Sequence, residues 1–346
     1  MAYTTIDKPS DYFITKLYNG SGSTQSITGL DFQPDWVWLK RRSSARGHTV
    51  YDAPRGATYG VYPDLTSGQS VGSSALTAFN SDGFSLGADD RVSGSGHTYV
   101  SWNWKANGAG ATNEAGSINT IKTSASTTSG FSIITYTGNG SSGATIGHGL
   151  GVAPKVVIVK LTSGAGYDWG MYHASLGNTK NMRMNLTDAV ATSTAFWNDT
   201  TPTSTLVSLG NNATVNANSS TYVAYCFAEV KGYSKMNSYI GTGNADGAFI
   251  YTGFKPAWIM IKKTSASGTN WFLFDSKRLG YNVANYYLSA NTTLADRTAP
   301  FLDILSNGFK LRTTETDVNA SGATYIYQAF AEEPFVSSTG IPATAR

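Results

Sequence analysis

The sequence predicts an all-β chain built from three tandem β-sandwich, jelly-roll-like repeats of about 95 residues each. Three observations predict it. Charged residues make up only 14% of the chain, against roughly 25% in an average globular protein, and turn-forming Gly, Ser, Thr and Asn replace them. Hydrophobic residues at 40% and aromatic residues at 12% supply packed cores, which argues against disorder. Finally, four landmarks occur three times in the same order.

The first landmark is an opening strand that runs into a Gly/Asn turn: Thr15-Lys-Leu-Tyr-Asn-Gly, Ile134-Thr-Tyr-Thr-Gly-Asn-Gly and Ser238-Tyr-Ile-Gly-Thr-Gly-Asn. The second is a proline followed by an apolar strand ending in lysine: Pro34 to Lys40, Pro154 to Lys160 and Pro256 to Lys262. Its near-continuous Val, Ile and Trp predict burial on both faces. The third is an aromatic residue with a polar partner: Tyr51-Asp52, Tyr172-His173 and Phe274-Asp275. The fourth is a closing strand: Val92 to Trp102, Val215 to Tyr225 and Val318 to Gln328, each with Thr-Tyr at its centre. Alternation of Tyr99, Ser101 and Asn103 against Val100, Trp102 and Trp104 gives this strand two faces. Helical spacing is scarce, with one candidate turn between Asn285 and Leu294.

These landmarks divide the chain into repeat 1 at 1–106, repeat 2 at 130–232, and repeat 3 with a C-terminal tail at 233–346. Residues 107–129, nearly all Gly, Ala, Ser, Thr and Asn, read as a linker that sets the first repeat apart. Repeats 2 and 3, joined only by Glu229-Val-Lys-Gly-Tyr, should pack together. A rival arrangement places three sheets around one pseudo-threefold axis, as in a β-prism.

Several patterns that can carry chemistry occur, and their context argues against each. Gly138-Asn-Gly-Ser-Ser-Gly143 has dinucleotide-loop spacing, but a strand follows where a helix N-terminus is required. Gly68-Gln-Ser-Val-Gly72 has the form of a nucleophile elbow, yet Pro63-Asp-Leu-Thr precedes Ser70 where a buried strand is needed. The histidines His48, His97, His148 and His173 are dispersed, and repeat 3 has none, so no metal site is built into the repeat. One cysteine, Cys226, lies in an apolar strand and reads as a buried, inert thiol. The reading is therefore not an enzyme, with no catalytic, cofactor-binding or metal-ligating residues.

Candidate surface-binding residues remain. Asp52 with Arg55, and Asp275 with Arg278, recur at the same place in two repeats, where repeat 2 has His173 and Leu176. They read as turn-ordering ion pairs or as a ligand-facing pair. Arg41, Arg42 and Arg46 follow the first lysine strand on a loop that could meet an anionic host-surface polysaccharide. The formal charge of +3 is too small and too dispersed for nucleic acid. No apolar run reaches the roughly 20 residues a membrane helix needs. The polar start, Met1 to Pro9, predicts no secretory signal and assembly in a host cytoplasm.

Three stretches carry a resemblance: Gly29-Leu-Asp-Phe-Gln-Pro-Asp-Trp-Val-Trp-Leu-Lys-Arg-Arg42, Asn80-Ser-Asp-Gly-Phe-Ser-Leu-Gly87, and Phe330-Ala-Glu-Glu-Pro-Phe335 with the end Thr339-Gly-Ile-Pro-Ala-Thr-Ala-Arg346. The chain resembles, over essentially its whole length, a repeat family of marine bacteriophage virion proteins described as tail fibre or virion structural proteins. Repeat 2 departs from the pattern, with Leu206-Val-Ser-Leu where the others have Asp82-Gly-Phe and Asn307-Gly-Phe. The resemblance implies a virion location without catalysis, and it supplies no binding residues. The expected function is a tail fibre or appendage component that contacts the host surface as a homo-trimer among other virion proteins. The alternatives are a head decoration or adaptor protein, and, from another class, a polysaccharide depolymerase. Tripling favours the non-enzymatic readings, because repetition multiplies weak contacts.

Overall fold

The computed structural model describes residues 3–164, 166–278 and 282–343. It is all-β, with helices limited to single turns. Three units recur, each around a four-stranded antiparallel inner sheet.

In unit 1 the opening strand is Phe13–Asn19, the lysine strand Trp36–Arg41, the returning strand Thr49–Asp52 and the closing strand Thr98–Trp104. Their order across the sheet is opening, closing, lysine, returning. Unit 2 repeats that order with Phe131–Thr137, Thr221–Phe227, Val156–Leu161 and Trp169–His173. Unit 3 repeats it with Ser234–Ile240, Thr324–Pro334, Phe254–Lys263 and Phe272–Asp275.

Each unit adds an outer layer. Gln25–Thr28, Gly83–Leu86 and Leu76–Asn80 form it in unit 1, and Ala144–Gly147 with Leu206–Leu209 in unit 2. In unit 3, Ala284–Ser289 and Arg297–Leu305 carry the inner sheet on into Gly308–Leu311 and Phe249–Tyr251, so both layers are one eight-stranded sheet.

The Thr-Tyr of the closing strand explains why the local structure recurs. A one-turn helix precedes it each time, at Asp90–Ser93, Ala213–Asn216 and Thr316–Asn319. The hydroxyls of Tyr99, Tyr222 and Tyr325 donate to the first carbonyl of that turn (Asp90, Ala213, Thr316). They also accept from the backbone N–H of Gly94, Ala217 and Ala320. Opening-strand tyrosines Tyr18, Tyr136 and Tyr239 stack on these rings at 5.2, 5.2 and 4.9 Å. Their hydroxyls donate to the carbonyls of Val92, Val215 and Val318. Each buried phenol is thus satisfied by the backbone of the turn it pins.

Alternation along the lysine and closing strands feeds two different cores. Val37 and Leu39 of unit 1 face outward onto Ile27, Phe84 and Leu86, and Val157 and Val159 of unit 2 face Ile146, Val207 and Leu209. The opposite faces of all three sheets meet in one central cluster. Trp36 of unit 1 lies 5.7 Å from Phe227 of unit 2, Phe227 lies 5.8 Å from Phe330 of unit 3, and Phe330 lies 5.5 Å from Trp104 of unit 1. The lysine strands of units 1 and 2 are therefore buried along their full length.

Two expectations are corrected. Residues 107–129 do not detach unit 1: Ala111–Asn113 and Thr120–Ser126 form a hairpin that extends the unit 2 sheet beyond its opening strand. Small, Thr-rich side chains suit a solvated edge strand as well as they suit a linker, so composition alone could not separate the two. The helical turn expected between Asn285 and Leu294 is instead largely the strand Ala284–Ser289, whose Tyr287 and Leu288 pack into the core.

Candidate functional site

The polar residues singled out by the sequence converge on the joints between units, and each joint is built the same way. At the end of every lysine strand the ammonium is buried and held by backbone carbonyls from two units. Lys40 Nζ donates to Arg46 O at 2.6 Å and to Thr293 O of unit 3 at 3.1 Å. Lys160 Nζ donates to Tyr167 O at 2.6 Å and to Thr66 O of unit 1 at 2.9 Å. Lys262 Nζ donates to Thr269 O at 2.7 Å and to Thr187 O of unit 2 at 3.2 Å. Burial lowers all three ammonium pKa values to about 8, nearby carboxylates offsetting part of the cost.

The side chain across from each lysine repeats the same connection. Nε2–H of His48 donates to Ser289 O of unit 3 at 3.0 Å, its Nδ1 being occupied as acceptor of the Trp38 indole N–H. Trp169 Nε1 donates to Tyr62 O of unit 1 at 2.9 Å, and Trp271 Nε1 to Arg183 O of unit 2 at 3.2 Å. Backbone pairs complete the pattern: Arg46 N to Thr293 O, Gly166 N to Thr66 O and Gly268 N to Thr187 O. Unit 1 thus reaches unit 3, unit 3 reaches unit 2, and unit 2 reaches unit 1. This is a closed, head-to-tail ring within one chain, the heterologous arrangement that closes at three members.

The aromatic-polar landmark sits in the same joints. Tyr225 of unit 2 donates its hydroxyl to Asp52 Oδ2 at 2.7 Å, and Trp102 of unit 1 donates its indole N–H to Asp275 Oδ2 at 3.0 Å. His173 of unit 2 accepts Ser175 N–H on Nδ1 and donates from Nε2 to Tyr327 O of unit 3 at 3.3 Å. Burial holds the His173 imidazole down at about 4, and it pushes His48 well below its ordinary range.

Six of the seven candidate surface-binding residues are held in close ion pairs, and Arg46 in a longer one. Asp52 bonds Arg55 Nε at 2.6 Å and Asp275 bonds Arg278 Nε at 2.6 Å, all four side chains being buried. Arg278 also pairs with Asp296 at 3.0 Å and lies over the Trp102 ring at 5.6 Å. Arg41 grips both Asp90 oxygens at 3.0 Å and donates to Ala45 O. Arg42 bonds Asp296 at 2.7 Å, while Arg46 reaches only 3.7 Å from Asp90 and is the most exposed of the group. For Asp52, Arg55, Asp275, Arg278 and Arg42 the expected ligand-facing surface is thus corrected to an internal seal against neighbouring units, whereas Arg41 and Arg46 pair with Asp90 of their own unit.

Sequence reasoning missed Asp296, Trp169, Trp271 and the carbonyls of Thr66, Thr187 and Thr293. The positional match of His48 with Trp169 and Trp271 opposite the lysines was the signal available for three of these joints. The remaining motifs stay local. Gly140 and Gly143 of the dinucleotide-like stretch have φ of 71° and 84° and turn directly into the strand Ala144–Gly147. The Ser70 hydroxyl bonds the Tyr62 phenol rather than a histidine. Among the described residues, no group of three or more His, Cys, Asp or Glu could hold a metal ion. Among the described residues, no helix is long and apolar enough to cross a membrane.

The ring of joints spans most of the length matched by a family model, a domain of unknown function (DUF7483), which covers residues 8–334. The chain belongs to that family. Neither a curated protein nor a solved structure matches it. In this DUF7483 chain the matched span runs from just before the first opening strand to the end of the last closing strand, so it takes in all three units.

Proposed function

We propose that the chain is a non-enzymatic structural component of a bacteriophage particle, a tail fibre or appendage element that contacts the host surface. The observation that carries this reading is the closed ring of three like units, whose buried lysines, arginines and carboxylates are used in the joints. Closure about a pseudo-threefold axis gives one chain the outline of a trimer, so it can sit on the end of a threefold fibre without a symmetry mismatch. The sequence resemblance to virion proteins supports the same placement.

The test is mass spectrometry of purified particles followed by gold labelling with an antibody against this chain. The expected result is label at the tail or its fibres. Label confined to the head would favour a decoration role. Absence of the chain from purified particles would overturn the reading.

A further inference from the structure

The outer layers of the three units are built on one plan, and one of them differs in a way the fold does not require. Ile27, Ile146 and Ile250 are the buried centres of equivalent outer strands, paired with Phe84, Val207 and Phe309. The residues on either side are Ser26 and Thr28, both exposed, in unit 1, and Phe249 and Tyr251 in unit 3, whereas in unit 2 they are a half-buried Thr145 bonded to Ser117 and a buried Gly147 covered by Asn113. Both unit 3 rings are about half exposed, at 46% and 53%. Unit 1 folds with exposed hydroxyls at these positions, so the pairing of the outer strand does not require the aromatic pair.

Tyr251 borders a cleft of about 360 Å³, formed where the N-terminal segment crosses unit 3, with Tyr3, Glu229, Lys231, Lys235 and Gly253 among its walls. Tyr3 donates its hydroxyl to Gly253 O at 2.9 Å and shares a 2.9 Å hydrogen bond with the Tyr251 hydroxyl. Lys231 Nζ stands 4.7 Å over the Tyr3 ring and, among the described residues, has no carboxylate partner. Lys235 pairs with Glu229 at 3.4 Å, and a Glu229 oxygen also accepts Met236 N–H. The cleft therefore carries one uncompensated ammonium beside two phenol hydroxyls. Phe249 extends the aromatic face along the strand by about 7 Å, the spacing of same-face strand residues.

We infer that this cleft and the Phe249–Tyr251 face bind a polysaccharide whose sugar rings carry carboxylates. Sugar C–H faces stack on the two rings, Tyr3 and Tyr251 hydroxyls bond ring hydroxyls, and Lys231 meets the carboxylate. Two half-exposed rings are too small a patch for a stable protein interface, which buries above about 1,000 Å². The inference deepens the host-contact reading by naming the ligand class, but its site stands on the geometry of the cleft and not on a place in the particle.

Isothermal titration of the full chain with hexagalacturonate, and with neutral cellohexaose as the comparison, tests it. Hexagalacturonate should bind at least about threefold more tightly, with the difference shrinking at high salt. The double variant Phe249→Ser with Tyr251→Thr installs the unit 1 residues and should weaken binding at least about tenfold while keeping the thermal midpoint. Lys231→Gln, at an exposed position, should weaken hexagalacturonate about threefold and leave cellohexaose unchanged. Undetectable binding of hexagalacturonate at millimolar concentration, equal binding of the two sugars, or unchanged binding by a folded double variant would overturn the inference. If the double variant melts early, Lys231→Gln decides. Failure here leaves the particle location untouched, and absence from particles leaves the cleft untouched.

Discussion

The joint between units 3 and 1 and the joint between units 2 and 3 close the same ring by different means. In the first, Asp275, Arg278, Asp296 and Arg42 form a buried ion network capped by the Trp102 indole. In the second, a neutral His173 and a partly buried Leu176 stand at the corresponding positions, and one imidazole N–H reaches Tyr327 O. Both joints keep the lysine ammonium on two carbonyls and the indole or imidazole N–H across from it. Ion pairing is therefore a local solution, and the lysine-carbonyl contact is the common one. That agrees with the general finding that a buried ion pair gains little over apolar packing but is costly to break on one side.

The largest expected effect comes from breaking the charged joint on one side. Asp275→Ala takes from the buried Arg278 one of its two carboxylates and from the Trp102 N–H its acceptor, and should cost about 3–5 kcal/mol in urea unfolding. The joint between units 1 and 2 sharpens the point. Asp52→Ala should be comparably costly, whereas Asp52→His with Arg55→Leu, which copies unit 2, should return to within about 1–2 kcal/mol of the parent. A double variant as unstable as Asp52→Ala would show that charge itself is needed.

Next in size is the element shared by all joints. Lys262→Met leaves Thr269 O and Oγ1 without this donor and should cost about 1–3 kcal/mol by the same measurement. The pH dependence follows from the ammoniums' pKa of about 8 in the fold, against about 10.4 in an unfolded chain. Between these values the unfolded state binds more protons, so stability should rise with pH from about 8. Above about pH 10 buried tyrosines such as Tyr222, raised to about 12, reverse the trend, because only the unfolded chain then ionises. Lys262→Met should flatten the rise in a series of urea midpoints taken between pH 7.5 and 10.

A smaller effect separates the neutral joint. His173 has a pKa of about 4 in the fold and about 6.5 unfolded, so stability should fall as pH drops through that window. His173→Gln should remove part of that acid-side loss, His48 and His148, whose imidazoles burial also holds below the ordinary range, keeping the rest, in urea midpoints between pH 7 and 4. The smallest effect concerns Cys226, fully buried, with its thiol pushed up strongly by burial. Ellman's reagent should label it only as fast as the chain opens, without changing native stability.

Much of the architecture was legible in the chain. The Pro-to-Lys runs at 34–40, 154–160 and 256–262 announced strands buried on both faces, and the closing Thr-Tyr pairs announced a common anchor. The candidate site was legible in part. Asp52, Arg55, Asp275 and Arg278 were visible as a recurring feature, but their direction was not. A short strand presents its last side chain to one face or the other according to its partner sheet, and that partner here belongs to another unit. Residues 107–129 misled for a related reason: Gly, Ser and Thr are as much at home on an edge hairpin as in a linker, and only pairing with Phe131–Thr137 distinguishes them.

Local pattern alone determined the β class, the recurring order of landmarks and the apolar strands, because alternation and turn chemistry act over a few residues. The tertiary structure decided that the three sheets share one aromatic centre, that the lysines bridge neighbours, and that the aspartates and arginines face inward. Those outcomes depend on contacts between residues far apart in the chain, from 75 positions for Lys262 with Thr187 to 173 for Tyr225 with Asp52 and for Trp102 with Asp275. No spacing within a single unit encodes which neighbour a side chain will meet once the ring closes.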